Sequence, residues 1–486
     1  MDRSKVGTIA QLRKTGYRTR SIREELRQNL LQRLKEKEPV FKGIIGFDKT
    51  VLPDIERAIL SKHNILLLGL RGQAKTKIAR LLVELLDEYI PVIAGSELND
   101  DPLMPISRFG KDLIGEMGDE TPIEWLHRSD RYVEKLATPD VSVADLIGDV
   151  DPIKAATLKL PYADERVIHY GLVPRSHRSI FVINELPDLQ ARIQVSLFNI
   201  LQEGDIQIRG FKLRLPLDIQ FIFTANPEDY TNRGSIITPL KDRIESQVLT
   251  HYPLTLEEAQ QITRQEAKIA PDQSDKIRVP ELAFRVLERI AFHARESELI
   301  DEKSGVSARL SITAFENLMS AAERRMLLSG EEETTVRMGD MWGVIPAITG
   351  KVELVYEGEQ EGPYGVALQL IGEAVQAEFL TAFPHPEKIL KENQVDLFED
   401  IRNWFAEGNT VELFHDEDNQ NYYKKLDSVP GLSALAKRLA KNGNEQRLAQ
   451  EVILHGLSEF NVLSKSLVDS RITFSDMLSN MLDDLD

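Results

Sequence analysis

Three short apolar runs stand out against a background of polar and helically spaced positions along this 486-residue chain. Asn64–Leu68 (NILLL), Ser179–Ile183 (SIFVI) and Ile219–Ala225 (IQFIFTA) are bounded by polar residues and are short, which predicts buried strands. After the first run, Ile78, Leu81, Leu82, Leu85, Leu86 and Tyr89 recur at helical spacing, predicting a helix over Thr76–Tyr89. Gln190–Gln202 has the same periodicity between the second and third runs. Strands alternating with helices predict an α/β fold whose parallel sheet is covered on both faces. Residues 253–346 read as mainly helical, most clearly in LAFRVLERIAFHARE and SITAFENLMSAAERRMLL. Helical segments continue beyond Gly350 and end in the acidic tail DMLSNMLDDLD.

Composition narrows the class. With 42% hydrophobic and 28% charged residues, the chain has the make-up of a folded protein with sizeable cores rather than a disordered one. No apolar run approaches the roughly 18 residues of a membrane span, and the N-terminal MDRSKVGTIAQLRKTGYRTR has no apolar h-region. The absence of cysteine excludes disulfides, thiolate metal sites and a cysteine nucleophile, and makes the cytoplasm the expected compartment. A net charge of −18 argues against nucleic-acid binding over the whole surface. The charge is uneven, however. Residues 1–40 hold eleven Lys/Arg and five Asp/Glu, so the rest of the chain is more acidic still. This basic arm reads either as a helix packed on an acidic neighbour or as a site for an anionic partner.

The first strand runs into Gly69-Leu70-Arg71-Gly72-Gln73-Ala74-Lys75-Thr76, close to the phosphate-loop pattern G-x-x-x-x-G-K-[ST]. Such a loop needs inward-turned backbone amides, which Gly69 and Gly72 permit, with a helix N-terminus behind them. Lys75 would reach the β- and γ-phosphates of ATP, and the Thr76 hydroxyl would bind Mg2+. Ala74 stands where the pattern has its last glycine. Alone, the match also fits an ordinary strand–helix turn.

The rest of the constellation follows in order. The second strand ends in Asn184-Glu185, where a nucleotide hydrolase ordinarily places Asp-Glu. Glu185 suits polarisation of the attacking water. Asn184 could hydrogen-bond a water of the Mg2+ shell, but it brings no charge. Weaker Mg2+ affinity or slower turnover is therefore expected, and Asn184→Asp is expected to raise Mg2+-dependent hydrolysis. The third strand ends in Thr224-Ala225-Asn226, and Asn226 could orient that water. Arg243, in Leu240-Lys241-Asp242-Arg243, could reach the γ-phosphate of a neighbouring subunit. Arg309 opens a helix from which it could contact nucleotide. Each element alone has a bland reading as a turn, cap or surface residue; their order and spacing together select an ATPase.

On these motifs the span from about Phe41 to Leu328 resembles the MoxR and magnesium-chelatase branch of AAA+ ATPases. The A-K-T ending of the loop is similar to that of many MoxR-type proteins. Ser142–Pro152 (SVADLIGDVDP) resembles the segment that leads into this branch's helix-two insert, Arg166–Arg178 (RVIHYGLVPRSHR) has the form of that insert, and Asp205–Pro216 (DIQIRGFKLRLP) resembles its pre-sensor hairpin. The hairpin also follows from the residues, because Ile206, Ile208, Leu213 and Leu215 alternate with polar positions around Gly210-Phe211. The resemblance implies a P-loop AAA+ core with a parallel sheet, a helical lid and a hexameric ring holding ATP and Mg2+ between subunits. The expected division is a basic helical arm (1–40), an α/β nucleotide-binding domain (41–252), a helical lid (253–349) and a mainly helical extension (350–486).

Proteins of this kind remodel or activate a protein partner, commonly one with a von Willebrand factor A domain. Here Ala144 replaces the last serine that the Asp140-Val141-Ser142 stretch would need for such a domain's metal site, so a partner of that type would act in trans. The alternative is the ATPase subunit of a magnesium chelatase, driving metal insertion into a porphyrin. The length, Asn184 and the extended C-terminal region fit it less well. An enhancer-binding activator would need a G-A-F-T-G-A loop, which this chain lacks.

Overall fold

The computed structural model describes residues 5–161, 164–208, 214–227, 235–391, 396–440, 443–468 and 471–477. The chain forms two compact units, Met1–His251 and Tyr252–Asp486.

The first unit is built on five parallel strands: β1 (Ile65–Leu68), β2 (Tyr132–Leu136), β3 (Ser179–Asn184), β4 (Ile219–Ala225) and β5 (Ser246–Leu249). Their order is β5-β1-β4-β3-β2. Every residue of β3 and β4 is buried, as expected of central strands with both faces covered. Side chains alternate between the faces. Ile65, Leu67, Ile180, Val182 and Ile222 pack toward Ile78, Ala79 and Leu82 behind the loop, whereas Leu66, Phe181, Ile183, Phe221 and Phe223 build the opposite core. The three expected strands are present. β2 and β5 lie at the two edges, and their mixed sequences, YVEKL and SQVL, lack the continuous apolar run of a central strand.

The helix expected over Thr76–Tyr89 is shorter. It runs as an α-helix over Lys75–Leu81 and a 3-10 turn over Leu82–Leu85. Tyr89 belongs instead to the strand Tyr89–Ile93, which pairs antiparallel with Ile123–His127. Leu86 is already extended at φ −81° and ψ 150°, and Tyr-Ile-Pro-Val-Ile favours strand, with its proline unable to continue a helix.

The basic arm is part of this unit. Helix α1 (Ile22–Glu36) buries Ile22, Leu26 and Leu30 in the loop-side core. Its arginines find carbonyls as well as acids. Arg23 donates to Lys62 O at 3.1 Å and Asn64 Oδ1 at 3.0 Å, Arg27 to Leu60 O at 3.1 Å, and Arg33 to Glu84 O at 2.6 Å. Glu25 forms a two-point ion pair with Arg131, both bonds 2.7 Å, and both side chains are buried.

Two small antiparallel strand pairs lie outside the five-stranded sheet. Gly148–Val150 pairs with Ile168–Tyr170, within the segments that resemble the helix-two insert. Asp205–Gln207 pairs with Arg214–Pro216, with Ile206, Ile208 and Leu215 buried. The expected turn of this second hairpin, Gly210-Phe211, lies outside the described residues, as do residues 478–486 of the acidic tail.

In the second unit, residues 253–349 and 350–486 contribute to one hydrophobic core. Its main helices are Glu281–Glu296, Arg309–Ser329, Tyr356–Phe379 and Gly443–Glu459. A three-stranded antiparallel sheet, with Arg471–Ser475 between Val411–Phe414 and Ser464–Val468, joins them. Among the described residues no helix is long and apolar enough to cross a membrane.

Candidate nucleotide site

The loop at Gly69–Thr76 leaves the end of β1, between the ends of β4 and β5. Gly69 N donates to Ala225 O at 3.2 Å, and Thr250 N donates to Leu68 O at 2.9 Å. Thr250 Oγ1 also donates to Gln73 Oε1 at 2.7 Å. A Cβ at Gly69 would overlap both side chains of that bond, so a larger residue there would have to displace them. Gly72 turns the chain at φ +76°.

Ala74 has φ +56° and ψ 12°, a left-handed conformation directly before the helix Lys75–Leu81. That conformation costs an L-residue about 1 kcal/mol relative to glycine. The loop thus keeps its course at the expense of strain at one residue. Ala74→Gly should leave stability unchanged or raise it by up to about 1 kcal/mol, measured by chemical denaturation. A loss of more than that amount would show that the alanine methyl packs productively.

Lys75 is buried, and its ammonium donates to Gly69 O, to Leu70 O at 2.9 Å and to Asn226 Oδ1 at 2.6 Å. Asn226 Nδ2 in turn donates to Glu185 Oε2 at 2.9 Å. The structure therefore brings the loop lysine, the end of β4 and the acidic residue after β3 into one hydrogen-bonded chain. Glu185 takes a left-handed conformation, φ 55° and ψ 51°, with its N–H donating to Thr224 Oγ1 at 3.1 Å. Thr76 and Leu70 are half-buried, and Arg71 is exposed.

Asn184 belongs to a second polar row. Its Oδ1 accepts from Thr224 Oγ1 at 3.1 Å, and its Nδ2 donates to Glu134 Oε1 at 2.5 Å. Glu134, on β2, also accepts from Tyr132 at 3.1 Å and from both ends of the Arg80 guanidinium at 3.0 and 3.2 Å. Burial works to raise the Glu134 carboxyl, but the hydrogen bonds from Arg80, Tyr132 and Asn184 outweigh it and hold the group below the usual carboxylate range. Neither Glu134 nor Arg80 carries a motif that sequence reading would select. Glu134 sits in an edge strand whose place beside β3 is set only by the strand order.

Arg243 is not part of this hydrogen-bonded cluster. Arg243 follows the short helix Thr238–Lys241 and is held within the same unit. It donates to Gln202 Oε1 at 2.9 and 3.1 Å and to Pro239 O at 2.7 Å, and it stacks 4.9 Å above the Phe198 ring. Arg309 is exposed at the first turn of Arg309–Ser329, in the second unit.

The donors on the loop face suit a hard divalent cation. Thr76 hydroxyl, Asn184 amide and Glu134 carboxylate are all oxygen-bearing, and the chain has no cysteine to favour a softer metal. Among the described residues no group of three or more His, Asp or Glu is placed to hold a metal ion.

No family model matches the chain. Similar solved structures include NtrX from Brucella abortus in complex with ADP, at 15% identity over 60% of this chain and 53% of that one, TM-score 0.33. A Thermotoga maritima RuvB mutant has 10% identity over 67% and 68% of the two chains, TM-score 0.31. A chain of the magnesium chelatase BchI–BchD complex has 18% identity over 66% and 98%, TM-score 0.33. The chain spans about half the length of the NtrX structure. The first unit is thus an α/β core, a five-stranded parallel sheet with helices around it and the loop Gly69–Thr76 at the end of its β1 strand.

Proposed function

We propose that this chain is an ATPase that binds ATP and Mg2+ at Gly69–Thr76 and hydrolyses ATP in a ring oligomer to remodel a protein partner. The hydrogen-bonded chain Lys75–Asn226–Glu185 supports this reading best, because it joins three separate segments at the mouth of one phosphate loop. The finer reading, a MoxR/magnesium-chelatase-like machine with a hexameric ring and a von Willebrand factor A partner, rests on the sequence resemblance of Phe41–Leu328.

Lys75 is the first participant. Its ammonium now satisfies two loop carbonyls and Asn226, and phosphate oxygens would replace those acceptors with stronger, charged ones. Glu185, freed from sharing Asn226 with Lys75, would accept a proton from the attacking water, and Asn226 would hold that carboxylate in place. Mg2+, when bound, would supply charge neutralisation at the phosphates, with Thr76 and Asn184 on its side of the loop. Arg243 would swing from Gln202 to the γ-phosphate of an adjoining subunit, and Arg309 would close from the lid side.

The test is hydrolysis and binding measured together. Glu185→Gln should lower ATP turnover by a hundredfold or more, an effect on the order of 3 kcal/mol, with ATP still bound and the client trapped. Arg243→Ala should likewise stop turnover and spare binding. Loss of ATP binding in both variants would make these residues structural and defeat the reading.

A further inference from the structure

We propose that Glu134 supplies the carboxylate that position 184 lacks, holding the Mg2+ water shell from the neighbouring strand. This inference rests on the nucleotide-site reading. Three observations place Glu134 there. First, its carboxylate is in direct hydrogen bond, 2.5 Å, with the side chain that occupies the usual acidic position. Second, Tyr132, Val182 and the loop-helix residues Ile78 and Ala79 share one core, and Glu134 lies two residues beyond Tyr132 on that strand, hence on the same face. Third, the cation that grips Glu134 is Arg80, four residues after Thr76 on the helix Lys75–Leu81. Residues at that spacing stand above one another on one helix face, so Glu134 reaches toward the turn that presents the Thr76 hydroxyl.

The hydrogen-bond polarity explains why residue 184 is an asparagine. Its amide has a donor for Glu134 and an acceptor for Thr224. An aspartate has no donor at neutral pH and would face Glu134 as a second carboxylate at contact distance. Two carboxylates so placed repel each other, and neither can donate a hydrogen bond to the other. Asn184 and Glu134 are thus an Asp-equivalent pair in which the charge sits one strand further out. The gain in hydrolysis expected from Asn184→Asp on sequence grounds is therefore not expected in this surrounding.

Binding of a fluorescent ATP analogue to the full chain, first in EDTA and then titrated with MgCl2, tests the idea without reference to turnover. Glu134→Gln should raise the Mg2+ half-point by about ten- to a hundredfold and leave binding in EDTA unchanged. Asn184→Asp alone should stay within about threefold of wild type. The double variant Glu134→Gln/Asn184→Asp restores one carboxylate to the pair and should return the half-point to that same range. Arg80→Ala removes the ion pair and keeps the carboxylate, so it should not raise the half-point; a purely structural ion pair would make it behave like Glu134→Gln. An unshifted half-point in Glu134→Gln, or a double variant no better than Glu134→Gln, overturns the proposal while leaving the nucleotide site standing. A wild-type chain that binds no analogue at all overturns both.

Discussion

Lys75→Ala is expected to lose ATP affinity by about a hundredfold or more, because a charge-assisted contact to phosphate contributes on the order of 3 kcal/mol. The substitution touches more than the ligand. In the ligand-free chain the ammonium holds Gly69 O and Leu70 O together and ties the loop to Asn226. A modest fall in thermal stability should therefore accompany the loss of affinity. Isothermal titration with ATP and a melting curve on the same sample separate the two effects. If Lys75 were only a staple for the loop, the melting temperature would fall and the affinity for ATP would not. Wild-type affinity in the variant would dispose of the phosphate-loop assignment.

The second large effect is on stability and lies away from the nucleotide. Arg131 is about 1% exposed, and each of its three guanidinium nitrogens donates a hydrogen bond. Its two terminal nitrogens meet the two Glu25 oxygens at 2.7 Å, and its Nε donates to Arg178 O at 2.9 Å. Glu25 Oε1 also accepts from Asp87 N at 2.7 Å. Arg131→Leu would leave a buried carboxylate without its counter-charge, which costs about 3–5 kcal/mol. For a unit of this size that corresponds to a fall in melting temperature of roughly 10 °C. Calorimetry should show the loss in the Met1–His251 unit. The paired variant Arg131→Leu/Glu25→Leu should recover much of it, because removing both charges also removes their desolvation cost. A single-variant loss below about 1 kcal/mol would mean that water reaches the pair. The prediction also bears on the arm: Glu25 lies on α1, so the ion pair binds that basic helix into the first unit.

The two predictions draw on different kinds of legibility. Lys75, Asn226 and Glu185 were each selected from the chain, because phosphate chemistry demands a glycine-bearing loop between a strand and a helix, and polar residues at the ends of buried strands. Each demand leaves a local mark. The all-buried strands β3 and β4 were equally readable, since a strand covered on both faces has to be apolar throughout. Edge strands carry no such mark. β2 reads as an undistinguished mixed segment, and nothing in Tyr-Val-Glu-Lys-Leu announces a neighbour to Asn184. The pairing of Arg131 with Glu25, separated by 106 residues, is equally silent in the sequence.

The sequence by itself determined the α/β class, the glycine-bearing loop Gly69–Thr76 between a buried strand and a helix, the order of the polar residues that follow it and the departure from pattern at Asn184. These are properties of local composition and of apolar period, which a single chain displays without folding. Only the tertiary structure decided that Ala74 is held at positive φ, that the basic arm uses its arginines on the first unit's own carbonyls and acids, and that residues 253–349 share a core with the C-terminal segments. It also decided what stands beside Asn184. Strand order places Glu134 there, and strand order is set by which faces pack and which edges pair, summed over the whole sheet, so no window of the sequence contains it.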